Sequence, residues 1–331
     1  MMQTTMGHIA EIDLEGAVGR LNGNVVRTPL LESEVLNART GGRILFKSEM
    51  FQRTGSFKFR GAFNCLSTLS PEDRTKGVVA FSSGNHGRGV SLAARLLGID
   101  AVIAMPDDSP HSKVRGIEAD GGKVITYSRR LMNRDAAIQP YLDAGRIMIH
   151  PYENPHVIAG QATATLESLE QAEALGAIPD MVIAPCGGGG LTSGAVLALA
   201  HRAVKAQVWG AEPEGYDDML RSLQAGKRVG NEATDFSICD AIMTPSPGVL
   251  AFSVLANAMS GVGVVSDDQT AHAMRIAAQE LKVVVEPGGA VALATLLSDQ
   301  VDIAGRTVIC ILSGGNADLQ TYTGILGRTG R

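Results

Sequence analysis

The sequence contains few cysteines and no close pair of them. Cys65, Cys186, Cys239 and Cys310 stand far apart, with no CxxC spacing. That argues against a disulfide framework and a zinc site, and predicts buried thiols in a reducing cytoplasm. No basic run exceeds two residues, and the net charge is −5. Nucleic acid is therefore not an expected partner, because a phosphate backbone needs a clustered positive face. No apolar run approaches the roughly 18 residues that span a bilayer, so no membrane partner is expected either. The opening stretch MMQTTMGHIAEIDLEGAV carries acids and no unbroken apolar segment, which argues against a signal peptide. Internal repeats of fixed period are absent, and no low-complexity linker separates two halves.

What is present suits a packed core. Hydrophobic residues make up 45% of the 331 residues and charged ones 19%. That length allows roughly two domains or one large α/β unit. An amphipathic helix is predicted near the start, with Ile9, Ile12, Val18 and Leu21 on one face and a stop at Asn22-Gly23. After Thr28-Pro29, RILFKSE (43–49) reads as a strand. Short apolar strands then alternate with helical patterns: GVVAFSS (77–83), AVIAMP (101–106), KVITYS (123–128), RIMIHP (146–151), MVIAPC (181–186), QVWGAEP (207–213), VGVVSDD (262–268) and TVICILS (307–313). Alternation of this kind, with continuously apolar strands, predicts α/β architecture with parallel sheets covered on both faces.

One stretch stands out before any of these strand ends is considered. SFKFRGA (Ser56 to Ala62) sets Lys58 between Phe57 and Phe59, directly after a Thr54-Gly55 break. Apolar surroundings disfavour the charged amine and lower its pKa from about 10.4, making it a candidate nucleophile. The competing reading is an ordinary helix start whose lysine snorkels to water.

Ligands of open α/β sheets sit beyond the carboxyl ends of the strands. Four such ends carry glycine-rich or polar sequence. SSGNHGRG (Ser82 to Gly89) offers Ser83, Asn85 and His86 as hydrogen-bonding side chains, or else a plain N-capped turn. CGGGGL (Cys186 to Leu191) places four glycines before the helix LTSGAVLALA. That is a nest of N–H groups suited to phosphate. It is neither a Walker loop nor a dinucleotide fingerprint, since no Gly-Lys-Ser/Thr follows and Thr192 stands where a third glycine would be needed. AEPEGYDD (Ala211 to Asp218) gathers Glu212, Asp217 and Asp218, either hard-cation ligands or a solvated helix start. SGGN (Ser313 to Asn316) is a further glycine turn, and VVVEPGGA (Val283 to Ala290) puts Glu286 before a Pro-Gly-Gly helix start.

Taken in order with HVIAGQATATLE (His156 to Glu167), these segments resemble the fold type II pyridoxal 5′-phosphate (PLP) enzymes. Within them the chain looks like the serine/threonine dehydratase and serine racemase branch, which includes 3-hydroxyaspartate dehydratases. The matching stretches run from about residue 28 to 320. The resemblance implies a tryptophan synthase β-like fold of two open, mostly parallel twisted sheets flanked by helices. It divides the chain into a large cofactor domain, 1–55 with 150–331, and a small domain, 56–149.

The resemblance also assigns roles. Lys58 would be the Schiff-base lysine and Ser83 the residue facing it across the cofactor. Phe57 and Asn85 would lie beside the cofactor ring, Gly187, Gly188, Gly189, Gly190 and Leu191 would form the phosphate loop, and Ser313 would bond the pyridine nitrogen. Ser82, Ser83, Asn85 and His86 would grip the substrate carboxylate. Arg134 lies near the place where some relatives hold a second carboxylate, with a helix-surface arginine as the alternative. Glu212, the Tyr216 carbonyl and Asp218 match positions where racemase relatives bind Mg²⁺ or Ca²⁺.

The implied reaction is β-elimination of water from a 3-hydroxy amino acid (L-threonine, L-serine or 3-hydroxyaspartate) to give a keto acid and ammonia. A neutral serine at the ring nitrogen makes a weaker electron sink than an acid would, which favours prompt elimination. An amino-acid racemase is the rival within the branch. A sulfhydrylase fits less well, because that branch resembles TSGNTG where this chain has SSGNHG. The rival from another class is a non-catalytic phosphate-binding module. A homodimer is expected, and at this length none of the regulatory domain of the large biosynthetic threonine dehydratases.

Overall fold

Strands that lack polar alternation must be buried on both faces, and two sheets satisfy this. The computed structural model describes residues 12–82, 84–109, 111–128, 131–232, 236–298 and 300–327. The larger sheet has six strands in the order β1 (Leu30–Glu32), β2 (Arg43–Ser48), β10 (Thr307–Leu312), β7 (Met181–Pro185), β8 (Gln207–Pro213) and β9 (Gly261–Val265). The smaller has four, β5 (Lys123–Tyr127), β4 (Ala101–Pro106), β3 (Val78–Phe81) and β6 (Ile147–Met148). Every pairing is parallel except β1 with β2.

Alternate residues of the central strands serve opposite cores. Ile44, Phe46, Ile183, Val308 and Cys310 pack on one face of the large sheet. Leu45, Val182, Ala184, Ile309 and Ile311 pack on the other. The twofold period of a strand thus meets a helix layer on each side. All four cysteines are buried and free, as their spacing predicted.

One reading needs correction. The helix Leu14–Leu21 buries Leu14, Ala17 and Leu21, while Val18 is 48% exposed. Steps of three and four residues from Leu14 put Ala17 and Leu21 on the inner stripe and Val18 at its margin. Ile9 lies outside the described residues. Strand β1 was not anticipated, because three residues are too few to show a period.

Close helix packing brings the lysine segment to the site. The helix Lys58–Ser67 crosses Pro155–Ala174 where Gly160 meets it, and a Cβ at Gly160 would come 2.6 Å from the Arg60 carbonyl oxygen. No helix among the described residues is long and apolar enough to cross a membrane.

Candidate active site

The carboxyl ends of both sheets face one cavity of about 400 Å³. Lys58 reaches it from the first turn of its helix. Its Nζ donates to the Pro151 carbonyl at 3.0 Å and lies 5.1 Å from the centre of the Phe57 ring. Burial lowers its pKa from 10.5 to about 8, against the pull of the Glu286 carboxylate. The snorkelling alternative fails, since the amine turns inward. The two flanking phenylalanines part company: Phe57 lines the cavity and Phe59 is fully buried against Phe63.

The same cavity is lined by Gly187, Gly188, Gly189 and Gly190, followed by Leu191, at the start of the helix Gly190–His201. The first N–H groups of a helix lack intrahelical partners, and the helix dipole makes that end a ready anion site. A side chain at Gly188 is impossible, for its Cβ would lie 2.3 Å from the Tyr152 ring. Gly189 takes φ +89°, a conformation that turns the backbone into the helix. Ser313 is 5% exposed and lines the cavity, and its carbonyl accepts the Phe57 N–H at 3.1 Å. Lysine segment and serine turn are therefore joined through the main chain.

The smaller sheet contributes Ser82, Asn85, His86 and Arg134. Ser83 lies outside the described residues. The Ser82 hydroxyl accepts the Gly84 N–H at 3.1 Å. His86 is neutral, since burial takes its pKa down to about 3. Its Nε2 contacts the Ile149 carbonyl at 2.8 Å, which leaves Nδ1 a buried acceptor without a hydrogen bond. Arg134 does not sit on an outer helix surface. Its guanidinium stacks over Phe81, 4.2 Å from the ring centre, and borders the cavity.

Several cavity residues gave little warning in the sequence. Glu286 read as a helix-start signal, yet burial raises its pKa from 4.5 to about 7 and Asn85 Nδ2 donates to it. Lys113 forms an ion pair with Asp240 at the cavity wall, joining the two sheet regions. Tyr152 backs the glycine loop with no local motif to announce it. For Glu286 the available signal was an acid at a loop-to-helix junction between two glycine turns.

The acidic segment after β8 is no solvated helix start. Glu212 and Asp218 are both fully buried, and their burial raises the pKa of each, Asp218 to about 6. Glu212 accepts the N–H groups of Met219 at 2.9 Å and Leu220 at 3.0 Å. Asp218 Oδ1 accepts from Asn231 Nδ2, whereas Oδ2 is buried with no hydrogen-bond partner among the described residues. The backbone N–H of Tyr216 donates to the Pro213 carbonyl, closing the turn between the two acids. No group of three or more His, Cys, Asp or Glu side chains converges as a metal site among the described residues.

A buried amine of lowered pKa, a glycine cradle at a helix start and a neutral serine around one cavity define an enzyme site that fits an aldehyde-bearing phosphate cofactor. Residues 21–314 match the model of the pyridoxal-phosphate dependent enzyme family, and the chain belongs to that family. It is 39% identical over 315 residues to an L-threo-3-hydroxyaspartate ammonia-lyase of Saccharomyces cerevisiae, covering 95% of each chain. It is 36% identical over 315 residues to a serine racemase of Schizosaccharomyces pombe, covering 95% of this chain and 96% of that one. Maize serine racemase superposes with a TM-score of 0.88 at 36% identity, over 94% of both chains.

Proposed function

We propose that the protein is a PLP-dependent ammonia-lyase that eliminates water from a 3-hydroxy amino acid, with 3-hydroxyaspartate as its preferred substrate. The observation that carries the preference is Arg134, a cavity cation stacked on Phe81 with no carboxylate paired to it among the described residues. Such a group suits a second carboxylate, which serine and threonine lack. The ammonia-lyase relative named above supports the same choice.

When bound, the cofactor supplies an electron sink for the substrate's α-carbon. Lys58 Nζ would anchor the cofactor and would take the substrate's α-proton; its lowered pKa keeps neutral amine available near physiological pH. The N–H groups of Gly187 to Leu191 would hold the phosphate, Ser313 would bond the ring nitrogen, and Phe57 and Asn85 would lie beside the ring. Ser82, Ser83, Asn85 and His86 would hold the substrate's α-carboxylate, Asn85 and His86 through the main-chain N–H groups that open the helix Asn85–Leu97. Water leaves from the β-carbon, and hydrolysis ends in keto acid and ammonia. Residues 56–149 form the small domain in this reading, and 1–55 with 150–331 the large one. We take the assembly to be a cytoplasmic homodimer, and the four free buried thiols suit a reducing compartment.

A substrate panel of L-serine, D-serine, L-threonine and the 3-hydroxyaspartate isomers tests the reading, with keto acid and enantiomer recorded separately. Hydroxyaspartate should give the highest kcat/KM. In Arg134→Ala its KM should rise about tenfold to a hundredfold, because a charged hydrogen bond contributes roughly 1.5–3 kcal/mol. Equal effects on serine and hydroxyaspartate would remove Arg134 as the specificity residue. Racemisation without keto acid would favour the second reading, which the racemase relatives support.

A divalent cation, Mg²⁺ or Ca²⁺, completes the proposal. Glu212, the Tyr216 carbonyl and Asp218 are hard oxygen donors, and the partnerless Asp218 Oδ2 suits a cation. The ion would neutralise two buried carboxylates that otherwise share their burial cost. Chelation should lower both melting temperature and activity, and added Mg²⁺ or Ca²⁺ should restore them. Glu212→Ala should abolish the response. Melting curves that ignore chelator would leave protonation, and no metal, as what balances the pair.

A further inference from the structure

We propose that Arg88 and Asn316 are positioning residues that fix the polarity of the Asn85 amide, turning its NH₂ group toward the cofactor. The inference rests on the cofactor site proposed above. A carboxamide has nearly the same shape in either orientation, yet one end donates and the other accepts. The ring of the cofactor presents a phenolic oxygen, which needs a donor. Something must prevent Asn85 from presenting its carbonyl instead.

The structure supplies a chain of hydrogen bonds that does so. Arg88 lies one turn beyond Asn85 on the helix Asn85–Leu97. Its Nε donates to Asp120 Oδ2 at 2.7 Å, and its Nη1 donates to Asn316 Oδ1 at 2.9 Å. Asn316 Nδ2 donates to Asn85 Oδ1 at 2.7 Å and to the Thr54 carbonyl at 2.7 Å. Asn85 Nδ2 then donates to Glu286 Oε1.

Only one set of orientations satisfies every link. A guanidinium has donors and no acceptor, so Asn316 must turn its oxygen to Arg88. A carbonyl only accepts, so the Asn316 NH₂ must face Thr54. That NH₂ also meets Asn85, whose oxygen is thereby drawn away from the cavity. Asn85 is left with its NH₂ inward: one N–H goes to Glu286 and the other is free for the cofactor. Glu286 alone could not enforce this, because a protonated carboxyl can donate as well as accept.

The backbone is bent to hold the chain in place. Thr54, β-branched, stands at φ 60°, ψ 11°, and Gly55 follows at φ 75°. Such a pair is strained for a threonine, and strain persists where its surroundings over-determine it. Here the turn aims the Thr54 carbonyl at Asn316, and a Cβ at Gly55 would come 2.6 Å from Asn316 Oδ1. The Thr54-Gly55 break before the lysine segment thus has a second use, as the anchor of the amide chain.

Cofactor-free protein reconstituted with PLP tests the inference without relying on turnover. Affinity and the pH midpoint of the lysine-bound cofactor's absorbance are measured for parent, Asn85→Ala, Arg88→Met, Arg88→Lys and Asn316→Asp. Arg88→Met and Asn316→Asp should each lose PLP affinity at least tenfold, and should move the pH midpoint in the same direction as Asn85→Ala. Arg88→Lys, still donor-only, should stay within threefold of the parent. In an Asn85→Ala background, Arg88→Met should add nothing further. Two results overturn the proposal: parent-like affinity and midpoint in both Arg88→Met and Asn316→Asp, whatever their melting temperatures, or full additivity with Asn85→Ala. A parent protein that takes up no PLP defeats the cofactor reading, and this inference with it.

Discussion

Lys58→Ala is expected to lose more than about 10⁴-fold in elimination activity while keeping the fold. A positioned base alone contributes roughly 10²–10⁴-fold, and the same amine also anchors the cofactor covalently, so both losses fall on one substitution. The fold should tolerate it. Among the described residues Nζ makes one hydrogen bond, to the Pro151 carbonyl at 3.0 Å, and burial already disfavours its charge. Removing such an amine relieves desolvation and leaves one carbonyl facing a cavity that water can enter. Melting temperature should therefore stay at the parent value or rise slightly. Borohydride reduction of the PLP-loaded parent should label Lys58, and the variant should take no label. Substantial turnover by Lys58→Ala without added amine would remove the central claim.

The architecture was legible because each parallel strand must be apolar on both faces, and such runs stand out. AVIAMP and QVWGAEP are strands over the same residues in sequence and structure. Strand β1 was not legible, because an edge strand of three residues shows no period and is set by pairing with β2. At the site, the elements that announce themselves are those whose chemistry is local: a lysine between phenylalanines and four glycines before a helix. Glu286 and Asn316 did not announce themselves, since their roles depend on partners far along the chain. Asn85 and Glu286 are 201 positions apart and meet only because β3 ends, and the Pro287–Leu296 helix begins, at the same cavity. The acidic segment left two readings open for the same reason. A helix start rich in acids is usually wet, but here Met219, next to Asp218, joins Cys186, Leu255 and Val262 in a buried apolar cluster, and Glu212 and Asp218 are themselves fully buried.

The buried charges behind the lysine helix should make Arg60→Met the most destabilising of the substitutions considered. Arg60 is fully buried two residues after Lys58. Its guanidinium donates to both oxygens of Glu49, at 2.7 and 2.9 Å, and to both of Glu167, at 2.7 and 2.8 Å. Lys47, also buried, donates to Glu167 at 2.8 Å, to the Thr28 carbonyl and to Gln171. Two cations thus balance two carboxylates, and removing Arg60 leaves one cation against two acids in a dry interior. Breaking a buried pair from one side costs about 3–5 kcal/mol, even where replacing the whole set by apolar groups would be neutral.

The pH dependence separates this cause from simple loss of packing. Burial alone would raise the Glu167 pKa, but the hydrogen bonds and charges of Arg60 and Lys47 outweigh it and hold the pKa below 4.5. A lowered folded-state pKa means that the parent gains stability from this group above the ordinary carboxylate range and loses it as pH falls through that range. In Arg60→Met the two acids share the one remaining cation, and protonation relieves the excess negative charge instead. The stability gap between parent and variant, read from urea unfolding, should therefore be widest near pH 7 and should narrow toward pH 5. A gap that is small, or equal at both pH values, would show that the cluster acts through shape and not through charge. Arg60→Lys should fall between the two, since it keeps the charge but loses the fork that grips two carboxylates at once.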